Sequence, residues 1–422
     1  MTPAQARKAE VQEGQELRCF NTGSLRVALL NATVVHVDRL GADEALFLRD
    51  GVIEYVGAPR RPPAGYRSFD MRGQYVLPGL VDLHAHGALG RHFNEADKGA
   101  WQTVLGAHLS AGTTSLLATL VSDSPAKMAA ALAIQDRLPP GSGSIGCHLE
   151  GPYLSRDYRG AHPENALRTP SDGSWPALLG NSRHIKLVTL APELAGADAM
   201  IRFLAARNVA VSAGHSGAEA RVMDSAHRAG LRHAAHLWSG QSTLAKNGPW
   251  RLPGLLEYVL GSNDLTAEII ADGCHVPVPL VRIAYRCLGA SRLSLVSDAS
   301  AGTGLRVGAT FEMGAARGIV SDGVALDARG ESFCGSTSFL ADILRFAVLR
   351  GEIPLVDAVR MASVTPASVI GLSDQIGTIA VGRAADLLVL DRDLGTVGVL
   401  RAGCPQHDAW ASEVDWLQTA DV

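Results

Sequence analysis

Residues 81–87 of this chain read VDLHAHG and follow an apolar run at 74–80, QYVLPGL. Side chains two residues apart on a strand point to the same face, so His84 and His86 are predicted to project together from the end of a strand. Two parallel imidazoles before a glycine turn form half of a typical metal site. This segment alone is also compatible with two histidines that bind no metal, because histidine pairs of this spacing also occur as ordinary polar residues.

The composition is that of an ordinary globular protein. The chain has 422 residues, of which 47% are hydrophobic, and its 38 basic and 42 acidic residues give a formal net charge of -4. This near-balance gives no support for nucleic acid as a partner. No apolar run is long enough to span a bilayer, the first twenty residues contain no secretory signal, and the six cysteines form no Cys-x-x-Cys pair. We therefore expect a cytoplasmic protein with reduced thiols and no membrane partner.

The middle of the chain alternates strand-like apolar runs with helix-like stretches. Eight such runs end in polar or glycine-rich tips, at 84–86, 113–120, 147–150, 186–190, 209–215, 233–236, 268–272 and 293–298. This rhythm predicts an α/β protein with a (β/α)8 TIM barrel, in which active sites lie at the carboxyl ends of the strands. Two further amphipathic stretches, at 338–348 and 355–364, predict helices after the eighth strand.

Both ends of the chain have strand character. Apolar segments at 26–35, 45–48 and 52–56 precede the barrel, and segments at 377–382 and 385–391 follow it. They predict a small β-sandwich domain built from both chain termini. The predicted boundaries are an N-terminal extension at 1–22, the small domain at 23–75 and 374–405, and the catalytic barrel at 76–373.

Polar side chains that can bind metal or move protons end five of the eight barrel strands. They are His84, His86, Glu150, His215, His236 and Asp298. Imidazole and carboxylate suit a divalent metal such as zinc or iron, and a carboxylate can bridge two ions. Glu150, His215 and His236 suffice for one ion, and His84 and His86 would add a second. A bound ion lowers the pKa of water to give a hydroxide nucleophile.

Asp298 is the natural general base beside such a site, since it could take a proton from the attacking water and return it to the leaving group. The alternative for Asp298 is a strand-end cap for the following helix. A barrel that has lost activity and only binds a sugar or partner is a third possibility, against which the complete set of site residues argues.

Six motifs resemble those of the N-acetylglucosamine-6-phosphate deacetylases of the amidohydrolase superfamily. They are PGLVDLHAHG at 78–87, HLEGP at 148–152, TLAPE at 189–193, GHS at 214–216, ADGCH at 271–275 and SDA at 297–299. The resemblance implies that Glu150, His215 and His236 are metal ligands and that Asp298 is the catalytic acid and base. It also implies a homodimer and an amino sugar phosphate as the small-molecule substrate, with deacetylation giving glucosamine 6-phosphate and acetate.

The resemblance also assigns substrate contacts. By likeness His162 contacts the sugar near the reacting amide, His275 lies toward the sugar phosphate, and Arg251 in RLPGL binds phosphate. The family usually reads His-Leu-Phe/Tyr-Asn-Ala-Met after the sixth strand, whereas this chain has HLWSGQ at 236–241, which places Ser239 and Gly240 at substrate-binding positions. This departure leaves open a different N-acetylhexosamine phosphate, an unphosphorylated sugar or an N-acyl amino acid as the substrate.

Overall fold

Eight parallel strands form the central sheet of the protein. The computed structural model describes residues 25–180 and 183–406, so the predicted extension at 1–22 lies outside the described residues. In chain order the barrel strands are Leu80–Ala85, Thr113–Leu120, Ser144–Glu150, Ile185–Leu190, Ala210–Ala213, His233–Ala234, Thr266–Ile269 and Leu293–Leu295. Each strand pairs with its neighbour in sequence, which confirms the predicted (β/α)8 barrel.

The barrel closes between its first and last strands through few contacts. Ala85 and Ala299 form a parallel bridge, and the N–H of Asp298 donates to the carbonyl of His84 at 2.8 Å. The carboxylate of Asp82 accepts the N–H groups of His84 and Ser297 at 3.1 and 3.3 Å. These bonds bring the tip of the eighth strand directly against the two histidines of the first strand.

Helices cover the outside of the barrel strands. Apolar residues run along both faces of most barrel strands, as expected for strands buried between helices and the barrel interior. Two helices begin at side-chain caps, since Asp97 accepts from the N–H of Ala100 and Ser124 from that of Lys127. The ten α-helices within the described residues are Lys98–Ser110, Pro125–Leu132, Trp175–Gly180, Ala197–Ala205, Ala220–Ala229, Leu255–Gly261, Val278–Leu288, Leu340–Leu349, Leu355–Met361 and Val364–Val369.

The two ends of the chain share one sheet of eight strands, as predicted for the small domain. Leu77 and Leu388 are antiparallel partners where the amino-terminal and carboxyl-terminal strands meet. Leu29 and Leu46 are fully buried in its core, each contributing about 1.5–3 kcal/mol by burial. Its strands are Arg26–Val35, Leu40–Arg49, Val52–Gly57, Arg67–Asp70, Tyr75–Pro78, Leu387–Leu390, Thr396–Arg401 and Cys404–Pro405.

Three sequence expectations need correction. The run at 377–382 is not a strand, because Gly377 and Gly382 have φ values of +87° and +86° that break an extended backbone. The predicted helix at 355–364 is interrupted, ending at Met361, and a second helix begins at Val364. Thiols are free at Cys147, Cys274, Cys287 and Cys334. Cys404 is disulfide-bonded, so the expectation of reduced thiols is wrong there.

Three elements were not expected from the sequence. A four-stranded antiparallel sheet follows the eighth barrel strand, with strands Thr310–Met313, Ala316–Val320, Val324–Asp327 and Phe333–Ser336. A hairpin of Ala245–Asn247 and Trp250–Leu252 follows the sixth strand. Short strands Gly87–Ala88 and Arg91–His92 also pair after the first barrel strand. In the described part of the chain, no helix has the length and apolarity that crossing a membrane requires.

Candidate active site

Glu150 stands at the centre of a cluster at the carboxyl ends of the barrel strands. Its Oε1 lies 2.8 Å from Nε2 of His236 and 3.0 Å from Nε2 of His215. Its Oε2 lies 3.1 Å from Nε2 of His162 and 3.3 Å from Nε2 of His86. These four imidazoles, which come from four separate parts of the sequence, all face one buried carboxylate.

The remaining two predicted residues complete the cluster. Oδ1 of Asp298 lies 3.1 Å from Nε2 of His86 and 3.6 Å from Nε2 of His84, and Nε2 of His84 lies 3.4 Å from Oε1 of Glu150. The structure thus brings together all six strand-tip residues that the sequence singled out, and His162 with them. All seven side chains are buried and are therefore shielded from bulk water.

The backbone at three of the strand tips is in the left-handed region. His215, Trp238 and Asp298 have φ values of 48°, 69° and 47°, a conformation that side chains other than glycine adopt at a cost of about 1–3 kcal/mol. Such turns aim the side chain that ends a strand back over the barrel mouth. The strain at His215 and Asp298 is consistent with a site whose geometry is held by the surrounding fold.

Hydrogen bonds on the far side of the rings fix how the imidazoles face the cluster. Nδ1 of His215 donates to the carbonyl of Tyr158 at 2.8 Å, and Nδ1 of His86 lies 3.3 Å from the carbonyl of Thr119. Because a carbonyl only accepts, Nδ1 carries the proton and Nε2 presents a lone pair to the cluster when the ring is neutral. This is the arrangement that a metal-binding histidine requires.

In His162 the proton of the neutral ring lies on the other nitrogen. The backbone N–H of Ser122 donates to its Nδ1 at 3.3 Å, so the proton of the neutral ring lies on Nε2, which faces Glu150 at 3.1 Å. Burial lowers the pKa of His162 to about 4, and the ring is therefore neutral near pH 7. His162 is a hydrogen-bond donor at the rim of the cluster.

The carboxylates of the cluster raise the pKa of two of its histidines. Burial alone would lower the pKa of His84 and His86, yet the pKa of His84 rises well above its ordinary value beside Glu150 and Glu268. The pKa of His86 rises to about 9 through Asp298 and Glu150. Without a cation at the site, the carboxylates hold protons on these rings.

The histidines in turn lower the pKa of the two carboxylates. Burial would raise the pKa of Glu150 and Asp298, but the imidazoles outweigh it, lowering the pKa of Glu150 well below its usual range and that of Asp298 to about 2. Both carboxylates are therefore anions at neutral pH. A divalent cation binding here would displace protons from the histidines, as metal binding at imidazole sites does.

The donor set fits a divalent metal ion. Three groups of ligand atoms lie close enough to share an ion, namely His84/His86/Asp298, His84/Glu150/His236 and Glu150/His162/His215, all of them buried. Nε2 of His84 is buried with no hydrogen-bond partner, an arrangement that costs free energy unless something else binds the atom. Nitrogen and carboxylate ligands of this kind suit zinc or iron(II).

The other predicted substrate contacts lie outside the cluster. Nδ1 of His275 donates to Oδ2 of Asp272 at 2.6 Å, and the ring packs on Phe333 of the added four-stranded sheet with centroids 4.4 Å apart. Arg251 lies exposed on the hairpin, and its guanidinium donates to the carbonyl of Pro249 at 3.2 Å. Of these two residues, Arg251 lies on the hairpin and His275 packs against the added sheet, and neither element was predicted from the sequence.

The altered segment after His236 shapes the surroundings of a cluster residue. Ser239 is half-buried, and Gly240 has a φ of +63°. A Cβ atom added at Gly240 would lie 2.8 Å from Nδ1 of His215 and 2.9 Å from the carbonyl of Tyr158. Glycine is therefore needed at this position to leave the bond between His215 and Tyr158 undisturbed.

Several residues behind the cluster were not assigned a role from the sequence. Glu268 bonds His84, His233 bonds Glu268, and Ser122 bonds His162. Glu268 stands in the middle of an apolar run, and a buried carboxylate in such a run is a signal that could have found it. The partners of His233 and Ser122 have no signal in the sequence, since they come from distant segments.

The barrel and its cluster of histidines and carboxylates define a metal-dependent hydrolase with its site at the strand tips. The model of the amidohydrolase family matches residues 75–412. The chain belongs to the amidohydrolase family.

Named relatives narrow the comparison further. The chain is 33% identical over 334 residues to N-acetylgalactosamine-6-phosphate deacetylase from Shewanella sp. (strain ANA-3), covering 78% of this chain and 82% of that protein. It is 33% identical over 336 residues to N-acetylglucosamine-6-phosphate deacetylase from Homo sapiens, covering 77% and 81%. A mutant of the Mycobacterium smegmatis N-acetyl-D-glucosamine-6-phosphate deacetylase, solved with N-acetyl-D-glucosamine-6-phosphate, superimposes with a TM-score of 0.84 at 31% identity, over 90% of this chain and 99% of that chain.

Proposed function

We propose that the protein hydrolyses the N-acetyl group of an amino sugar phosphate, converting N-acetylglucosamine 6-phosphate to glucosamine 6-phosphate and acetate. The observation that carries this proposal is the cluster centred on Glu150, in which His215, His236, His84 and His86 turn Nε2 toward one carboxylate. The relatives named for this activity share the fold and about a third of the sequence.

Glu150, His215 and His236 would hold the first divalent ion, zinc or iron(II), and His84 and His86 would help to hold a second. Such an ion supplies Lewis acidity to the amide carbonyl and lowers the pKa of water at the site. The residues hold this centre in a pocket shielded from bulk water, where electrostatic stabilisation of the transition state is strongest.

Asp298 and His162 supply the proton chemistry and the positioning. Asp298, an anion at neutral pH, accepts a proton from the attacking water and then donates it to the nitrogen of the departing amine. Nε2–H of His162 is placed at the rim of the cluster and would donate to the acetyl carbonyl oxygen as negative charge develops there. Water adds to the carbonyl carbon, the C–N bond breaks, and acetate and the amine leave.

Arg251 and His275 would bind the sugar phosphate, with Ser239 and Gly240 lining the sugar. Guanidinium matches phosphate through its paired N–H groups. The test of this assignment is Arg251→Ala, expected to raise KM for the phosphorylated sugar while leaving the slow reaction of the plain sugar unchanged. Lys246, the register partner of Arg251 in the hairpin, gives the matched control Lys246→Ala; equal effects of the two substitutions would contradict a specific phosphate contact.

The experiment that tests the activity is acetate release by metal-loaded protein from N-acetylglucosamine 6-phosphate beside the unphosphorylated sugar. Fast release that depends on phosphate is expected. Release from neither sugar would refute the proposal.

A second candidate is N-acetylgalactosamine 6-phosphate, which differs from the first sugar only at one hydroxyl. The relative from Shewanella sp. (strain ANA-3) carries that name at 33% identity, and the segment Trp238–Gln241 departs from the pattern expected for the glucosamine enzymes. The ratio of kcat/KM for the two phosphorylated sugars decides between them.

We also propose a homodimer in the cytoplasm. Trp250 on the hairpin and Leu244 directly before it are 73% and 53% exposed, and large apolar side chains at such exposure favour an interface with a second copy. A phosphorylated sugar does not cross membranes, which favours an intracellular enzyme, whereas the disulfide at Cys404 is the observation against that location. Light scattering of the native protein and of Trp250→Ser tests the dimer; a native monomer would refute it.

A further inference from the structure

We propose that Glu268 is a positioning residue that sets the metal affinity of the cluster by fixing the orientation of His84. The inference rests on the proposed function, because it takes the cluster to hold a divalent ion. Glu268 lies on the seventh barrel strand, Thr266–Ile269, and none of its surface is exposed.

Two of the three side-chain contacts of Glu268 are with residues of the cluster. Its Oε2 accepts from Nδ1 of His84 at 2.8 Å and from the backbone N–H of His236 at 3.3 Å. Its Oε1 lies 3.2 Å from Nε2 of His233, whose Nδ1 in turn lies 2.7 Å from the hydroxyl of Thr266. One buried carboxylate is thereby bonded to the ring of one cluster histidine and to the backbone of another.

His84 differs from the other cluster histidines in the kind of partner it has. The Nδ1 atoms of His215 and His86 face backbone carbonyls, and Nδ1 of His236 is buried without a partner. Among the described residues of the cluster, His84 has its Nδ1 held by a carboxylate. Its opposite nitrogen, Nε2, faces Glu150 and Asp298 with no hydrogen bond of its own.

This arrangement has a direct consequence for metal binding. A carboxylate that accepts from one nitrogen of an imidazole fixes the tautomer and ring orientation and makes the other nitrogen a stronger ligand. Removal of such a partner weakens metal affinity by roughly 10- to 100-fold. A glutamine at position 268 keeps the size of the side chain, but its amide cannot accept from both His84 and His233.

The test is the zinc affinity of metal-free protein, measured by competition with a chromophoric chelator for native protein, Glu268→Gln and a control. Ser294 is the register partner of Glu268 on the eighth strand, and its buried hydroxyl has no partner, so Ser294→Ala perturbs the same layer of the barrel without touching His84. Thermal unfolding of each metal-free variant measures its structural cost separately. Glu268→Asp keeps the buried charge but shortens the side chain, and provides a second variant if Glu268→Gln does not fold.

Glu268→Gln is expected to lose about 10- to 100-fold in zinc affinity, with Ser294→Ala indistinguishable from native protein. Glu268→Asp is expected to fall in the same direction. Native zinc affinity in Glu268→Gln would overturn the inference, even if that variant has lost thermal stability. If Glu268→Gln does not fold, native zinc affinity in Glu268→Asp would overturn it in the same way. Failure of native protein itself to bind zinc or iron(II) would instead refute the proposed function, so the two failures are distinguishable.

Discussion

At the scale of single residues, Glu150 determines what the site can bind. Five imidazoles have Nε2 within 3.4 Å of its two oxygens. Glu150 and Asp298 hold protons on His84 and His86, so a cation that binds to this cluster replaces those protons. The site therefore depends on individual carboxylates, and substitutions of single residues are its most direct tests.

Asparagine cannot fill the acid and base role that we propose for Asp298. Asp298→Asn removes the proton acceptor while keeping the size of the side chain, so turnover is expected to fall roughly 100- to 10,000-fold. Zinc content is expected to stay at the native level, because Glu150, His215 and His236 remain. Steady-state acetate release and metal analysis of the same sample check both statements. Native turnover in Asp298→Asn would show that another group moves the proton.

Gly240 tests whether the altered segment after His236 supports the site. Gly240→Ala places a Cβ atom 2.8 Å from Nδ1 of His215, which should displace that ring from Tyr158 and lower kcat/KM for the acetylated sugar phosphate at least tenfold, a barrier increase of about 1.4 kcal/mol.

Gly248→Ala is the matched control for this substitution. Gly248 has a similar φ of +58°, but a Cβ there would meet nothing within 4 Å. Gly248→Ala has the same backbone strain as Gly240→Ala but no steric clash of the added Cβ, so it should retain native kcat/KM. Equal activity in the two variants would show that the clash at Gly240 is relieved without moving His215.

At the scale of elements, the residues at the strand tips could be predicted from the sequence, but the residues that bond them from behind and the added sheet could not. Each apolar run that ends in histidine or a carboxylate reveals a tip residue, because parallel barrel strands end on one rim. Glu268 contacts His84 across 184 residues of sequence, and no local pattern encodes such a pairing. The four-stranded sheet at 310–336 was missed for another reason, since its strands of four or five residues are too short to give a clear alternation.

The helix Lys98–Ser110 carries a buried histidine that predicts a pH effect on stability. His108 donates from Nε2 to the carbonyl of Gly87 at 3.2 Å, while its Nδ1 is buried without a partner. Burial lowers the pKa of His108 to about 4, below its unfolded value near 6.5. The unfolded chain therefore binds this proton first as the pH falls. His108 should remove about 3 kcal/mol from the free energy of unfolding between pH 6.5 and pH 4.

His108→Gln keeps a donor for Gly87 but does not titrate. Urea unfolding of both proteins between pH 7 and pH 4 should show native stability falling more steeply than that of the variant. Other acid-sensitive groups contribute equally to both curves, so their difference isolates His108. Parallel curves would show that His108 is already protonated in the folded protein or solvated by an opening of the helix.

At the scale of the whole molecule, the small sheet domain and the candidate active site lie in different parts of the fold. The sheet shared by both chain ends has its own buried core, distinct from that of the barrel, while the cluster lies at the barrel rim. Of the residues assigned to the substrate, Arg251 lies on the hairpin and His275 packs against Phe333 of the added sheet. This division was predictable in outline, because similar strand segments occurred at both ends of the sequence. The substrate was not predictable to the same degree, since Arg251, which we propose binds its phosphate, lies on the unpredicted hairpin, and Ser239 and Gly240 lie on the segment that departs from the family pattern.

The central claim is that this cluster performs metal-dependent deacetylation, and one titration tests it most directly. Zinc or iron(II) is added stepwise to metal-free protein while acetate release from N-acetylglucosamine 6-phosphate is followed. The account predicts no release without metal and a rise with each bound ion until the Glu150 cluster is filled. Full activity in metal-free protein, or no activity at any metal content in folded protein, would contradict it.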